Sequence, residues 1–195
     1  MSQYQYKELE KNLQDLIAEE QAKLGYRQEA IRLYYPLSSL NHLLIAGADA
    51  AQDGKKTKKL SAEEMQKELE LFARTVQDKF GNIAISHKKE RFCFFLPEQA
   101  TQYVHDRQGE NAFIYELVAL LAQHDTTMED IIHLFEKQAD PCEVININNE
   151  EFDTLIRFID SDDRYFYCFR DEIVHFIYHR FLPEDFAELY PDSKI

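Results

Sequence analysis

The residues between Arg32 and His42 are the ones whose types and spacing could do chemistry. Arg32, Tyr34, Tyr35, Ser38, Ser39, Asn41 and His42 gather a cation, two phenols, two hydroxyls, an amide and an imidazole in one short run. Such a set can hold a ligand through several polar tips, with Arg32, Tyr35, Ser39, Asn41 and His42 as its binding side chains. It can also place His42 as an acid–base group, because an imidazole changes charge near neutral pH. Ser38 lies one helical turn from both Asn41 and His42. A serine and a histidine four apart on one helix rarely align for attack, so spacing alone defines no nucleophile with its base. A capping serine beside a packed Tyr–Tyr corner accounts for the same residues without a ligand. The nearest acids, Glu29 and Asp49, flank the cluster only at a distance.

Other motifs are weaker. The five glycines are scattered, and none sits in a phosphate-cradling GxGxxG or GxxxxGK context; GxSxG and HExxH are also missing. His175 and His179 would share a metal on a helix. On a strand they lie about 13 Å apart, too far for one ion, and the intervening Phe, Ile and Tyr favour strand. Asp160, Asp162 and Asp163 resemble a calcium loop, but Tyr165 and Asp171 stand where its glycine and glutamate belong. Lys55, Lys56, Lys58 and Lys59 read as a solvated loop. Cys93, Cys142 and Cys168 form no CxxC pair, and their apolar neighbours suggest buried thiols. No metal or cofactor is expected.

These residues must be positioned by the elements around them. Residues 1–50 read as a helical segment. Its first helix carries Tyr6, Leu9, Leu13, Leu16, Ile17 and Leu24 on one face and stops at Gly25. Ile31 to Tyr35 reads as a short strand or a helical turn, and Pro36 then opens a helix through Ile45. Residues 47–60 read as a flexible loop. Over 61–138 come helices, one opened by the Ser61/Glu64 capping box and one by Thr127 with Asp130, around a β-hairpin at 82–96. Residues 111–138 are a helix–turn–helix in the loose sense, but Glu129, Asp130 and Glu136 give the second helix the wrong sign for DNA. Residues 143–181 alternate as an antiparallel meander, and Pro183 starts a terminal helix over 183–190. The expected fold is one α+β domain, with helices packed on an antiparallel sheet.

The meander is apolar on both faces. Tyr165, Tyr167 and Phe169 oppose Phe166 and Cys168, and Phe152, Ile156 and Phe158 oppose Leu155 and Ile159. A sheet with one wet side should alternate cleanly, so helices, a partner or a ligand must cover both sides. The net charge of −14 is uneven: residues 140–195 hold fourteen acids against five Lys/Arg, a net of −9, leaving −5 for the first 139. That field disfavours phosphate backbones and anionic lipid, so neither nucleic acid nor membrane is an expected partner. The polar N-terminus lacks the pattern of a signal peptide, and the cytosol is the expected compartment.

The run AIRLYYPLSSLNHLL (30–44), with the later YFYCF and HFIYHRF, resembles a family of small bacterial proteins known only as a domain of unknown function, from anaerobic Gram-positive gut bacteria. The resemblance covers most of the chain and implies a bacterial cytosolic protein. It brings no activity, ligand or site. Two readings of function follow. One is an interaction module or homo-oligomer that buries sheet or helix surface against a protein partner. The other is a small-molecule-binding protein or enzyme with a pocket at Tyr35, Ser39, Asn41 and His42.

Overall fold

Leu9, Leu13 and Ile17 recur at the four-residue step that lines one face of a helix, and all three are fully buried along α1 (Lys7–Leu24). The computed structural model describes residues 6–49, 59–147, 149–172, 175–193 and 195. Gly25, at φ +78°, ends α1 in a conformation that side chains disfavour. Leu24, expected on the apolar stripe, is instead 65% exposed, because it sits in the last turn where the helix leaves the core.

The chain divides into two compact units, 1–115 and 116–195. In the N-terminal unit, residues 31–36 form β1 (Ile31–Pro36), resolving the strand-or-turn ambiguity. It pairs antiparallel with β3 (Arg91–Leu96), which also pairs with β2 (Ala84–Lys88), giving the order β1-β3-β2. Pro36 is tolerated because β1 is an edge strand, and α2 (Leu37–Asp49) starts one residue later. That helix runs three residues into the stretch expected as loop; residues 50–58, with Lys55, Lys56 and Lys58, lie outside the described residues. The hairpin turn is only Lys89–Glu90, with Lys89 at φ +55°, so His87, Lys88 and Arg91 of the expected HKKER loop belong to strands.

Helices pack on the inner face of this sheet. The Ser61/Glu64 capping box opens α3 (Ala62–Thr75), which buries Met65, Leu69 and Phe72. The helix breaks at Val76 and resumes as α4 (Gln77–Phe80), which Gly81 ends at φ +73°. A Cβ there would also lie 2.9 Å from Gln99 Oε1 and 3.0 Å from Pro97 Cγ, so the position favours glycine twice over. Beyond Pro97, α5 (Glu98–His105) buries Ala100 and Val104. A short 3-10 turn (Gln108–Asn111) leads into α6 (Ala112–Leu121), inside which the two units divide.

The C-terminal unit holds the expected meander: β4 (Cys142–Asn146), β5 (Thr154–Phe158), β6 (Phe166–Asp171) and β7 (Phe176–Phe181), antiparallel in sequence order. Both of its faces are covered from within the unit. On one, α8 (Pro183–Leu189) places Phe186 against a core of Ile147, Phe152, Leu155, Phe166, Cys168 and Phe181. On the other, α7 (Met128–Glu136) sets Phe135 against Phe158, Tyr167 and Phe169. Phe152 precedes β5 and packs with Leu155, not with Ile156 and Phe158 as strict alternation had suggested; the strand begins two residues later. The unit's own helices therefore cover most of both faces, leaving Val144 and Ile177 exposed at 43% and 40%.

Candidate functional site

The period-two alternation of β1 separates the candidate binding residues. Arg32 points outward, its guanidinium 5.4 Å from the centroid of the Phe95 ring. Tyr35 points inward and is buried. Its hydroxyl donates to Asn12 Oδ1 at 2.6 Å, and its ring meets Phe94 edge-on at 5.1 Å. Asn41 is buried on α2 and uses both ends of its amide on backbone. Nδ2 donates to the carbonyls of Leu37 and Leu60 at 3.1 Å each, and Oδ1 accepts from the Leu60 amide at 2.7 Å. His42 is buried and Ser39 half-buried. Arg32 and Tyr35 thus face opposite sides of the sheet, and Asn41 fastens α2 to the residue before the Ser61 cap.

Sequence reasoning missed a polar seam along α1. Gln21, 7% exposed, donates to the Thr101 carbonyl at 2.8 Å and accepts from the Tyr115 hydroxyl at 2.9 Å. Buried side-chain hydrogen bonds of this kind fix the packing of helices. Beside them, Gln21, Arg27, Glu29 and Thr101 line a cavity of about 30 Å³. That volume has room for no more than a water or two.

It also missed the outer face of the N-terminal sheet. Since Phe92, Phe94 and Leu96 are buried, the intervening Arg91, Cys93 and Phe95 face outward. The register sets Arg32 and Ala84 beside Phe95, Tyr34 and Ser86 beside Cys93, and Pro36 and Lys88 beside Arg91. All but the half-buried Cys93 are exposed, Tyr34 at 60% and Phe95 at 38%. These nine positions carry three cations, two exposed aromatic rings and no carboxylate. The clue in the sequence was RFCFFL itself, whose period-two pattern leaves Phe95 on the side away from Phe92 and Phe94.

In the C-terminal unit, Glu150, Glu151, Tyr190 and Asp192 line an open cleft of about 520 Å³, in which the Tyr190 hydroxyl donates to Glu151 at 2.6 Å. The Asp160–Asp163 segment is a turn. The Asp163 carboxylate accepts from the Tyr165 amide at 3.1 Å and from the buried Tyr167 hydroxyl at 2.7 Å, and Asp160 has φ +55°. Burial, reinforced by the Asp163 charge, pushes the Tyr167 phenol well above its ordinary range. His179 lies on β7, its ring tilted against Phe181 at 4.3 Å, while His175 precedes the strand; Ile173, expected beside them, lies outside the described residues.

The three thiols differ sharply. Cys168 is fully buried, and desolvation pushes it up to about 12. Cys142, half-buried, is raised by burial and by nearby Glu136. Because thiolate is the reactive form, a disulfide reagent should reach half-buried Cys93 and Cys142 in the native protein and Cys168 only after denaturation. Labelling of all three at one rate in the native protein would contradict this arrangement.

The fold and these surfaces define an α+β protein with a separate antiparallel sheet in each unit. The chain belongs to a family described as "Domain of unknown function, E. rectale Gene description (DUF3877)", whose model matches residues 6–190. Searches of curated proteins and of solved structures each found no match. Among the described residues, no helix is long and apolar enough to cross a membrane.

Proposed function

We propose that the chain is a cytosolic docking module that takes an anionic partner on the outer face of its N-terminal sheet. The carrying observation is the acid-free patch of Arg32, Lys88 and Arg91 around exposed Tyr34 and Phe95. Charge distribution supports it. Residues 116–195 hold 19 Asp/Glu against 6 Lys/Arg, whereas residues 1–115 hold 17 against 16, so the acidity lies almost wholly in the C-terminal unit. The pocket reading at Tyr35, Ser39, Asn41 and His42 gains no comparable support, since the Tyr35 hydroxyl and both ends of the Asn41 amide serve the fold. Three free cysteines, one fully buried, suit a reducing compartment.

The test titrates the full chain with poly-glutamate and with a single-stranded oligonucleotide, and follows its mass by light scattering as concentration rises. At least one of these interactions should appear, weaken with salt, and weaken again in an Arg32→Gln/Arg91→Gln variant of unchanged melting temperature. No interaction in any arm, or one indifferent to that variant, would overturn the docking reading.

A further inference from the structure

Resting on that docking reading, we propose that the outer face of the N-terminal sheet is a stacking platform for single-stranded nucleic acid. The sheet side chains of this face match what an unpaired strand offers. An unpaired strand presents flat π surfaces joined by phosphates, and it is bound by exposed aromatic rings bordered by cations. Tyr34 is paired with Cys93, and Phe95 lies two residues further along β3. The two rings are therefore diagonal neighbours, with roughly 7–8 Å between their positions. That separation gives each ring room for its own base, the one on Phe95 once the Arg32 guanidinium over that ring swings aside to a phosphate. Ser86, beside Cys93, adds a hydroxyl that can donate to a base edge.

The cations stand around the rings. Arg32 is next to Phe95, its guanidinium already over that ring, while Lys88 and Arg91 are neighbours at the hairpin end. Phosphates lying on either side of two stacked bases would meet these groups. Nearby carboxylates sit at the rim: Glu90 is in the hairpin turn, and Glu29 is 3.9 Å from Arg27. The chain's net charge of −14 disfavours nucleic acid at long range. Over a Debye length of about 8 Å at physiological salt, however, the local groups dominate.

A protein partner fits the same face less well. The fully buried core of an interface is depleted of charged side chains, whereas here three cations share nine positions. A duplex fits poorly too, because its bases stack on each other and present no free π face.

The experiment measures anisotropy of a labelled single-stranded oligonucleotide of about 16 nucleotides against the full chain, with a duplex of the same length and poly-glutamate as competitors. Single strands should bind and duplex should compete poorly. Three phosphate contacts predict a slope of about −2 for log affinity against log salt, falling by about 0.7 for each of Arg32→Gln and Arg91→Gln. Tyr34→Ser with Phe95→Ser should weaken binding at least about tenfold. Bound oligonucleotide should slow alkylation of Cys93, which is a neighbour of both rings, and leave Cys142 unaffected. The proposal is overturned if single strands do not bind, if duplex competes equally, or if the aromatic pair can be removed without effect. Should the serine variant not fold, the salt slopes and Cys93 protection in otherwise native protein still decide. Poly-glutamate binding or self-association that depends on Arg32 and Arg91, without oligonucleotide binding, would keep the docking reading and sink this one. Silence in every arm would sink both.

Discussion

Replacing Phe135 with alanine is expected to destabilise the C-terminal unit by about 3–5 kcal/mol, the range for truncating a buried phenylalanine. The ring is fully buried on α7, edge-on to Tyr167 at 5.1 Å and to Phe169 at 6.2 Å, and tilted against Phe158 at 5.3 Å. At least three aromatic rings pack on it, so the cavity left behind cannot close without moving strands β5 and β6. Aromatic pairs also contribute beyond the area they bury, roughly 0.5–1.5 kcal/mol each. Ordinary domains are stable by only about 5–15 kcal/mol, so this one change should bring the unit close to unfolding. Urea titration followed by circular dichroism and tyrosine emission would measure it, since the chain has no tryptophan. Val144→Ala is the control: Val144 shares that face of the sheet but is 43% exposed. The control should change stability by no more than about 0.5 kcal/mol. A loss below about 1 kcal/mol for Phe135→Ala would show that α7 is not what covers this face.

Phe135 also marks how far the sequence was legible. The meander could be read because alternation and β-branched or aromatic content are local properties, and all four strands occur where those runs lie. What covers the sheet could not be read, since alternation shows that two faces are apolar and not which helices meet them. The hairpin was placed correctly, but its strands reach further into HKKER than hydropathy suggested. Its exposed positions are free to be polar, so burial leaves no trace there. β1 was ambiguous for a different reason. Five residues are too few to separate a helical from a strand period, and its partner lies some sixty residues away. The same gap hid the make-up of the sheet's outer face: Arg32, Tyr34 and Phe95 become neighbours only through that long-range register. Chemistry-bearing residue types in 32–42 were evident at once, yet which of them face solvent depends on the pairing of β1.

Asn41 separates the two readings of that segment. Asn41→Ala removes the acceptor of the Leu60 amide and the donor to the Leu37 and Leu60 carbonyls. Leaving such groups without partners costs about 1–3 kcal/mol, and the anchor between α2 and the start of α3 goes with them. A ligand-binding side chain would behave otherwise: its truncation would leave the melting temperature in place or raise it. Asn41→Asp sharpens the contrast through pH. An aspartate keeps an oxygen for the Leu60 amide but turns a second oxygen toward two carbonyls, where only its protonated form can donate. Its folded pKa is therefore raised above the unfolded value of about 3.9. The stabilising hydrogen bond is fully present below that unfolded value and is lost as pH rises through the raised folded pKa. Asn41→Asp should then approach wild-type melting in acid and fall progressively below it toward neutral pH, while Asn41→Ala shows a deficit that this carboxyl cannot modulate. A pH-independent difference between the Asp and Ala variants would mean that the amide is not clamped between those carbonyls, and the case for a ligand at Asn41 would reopen.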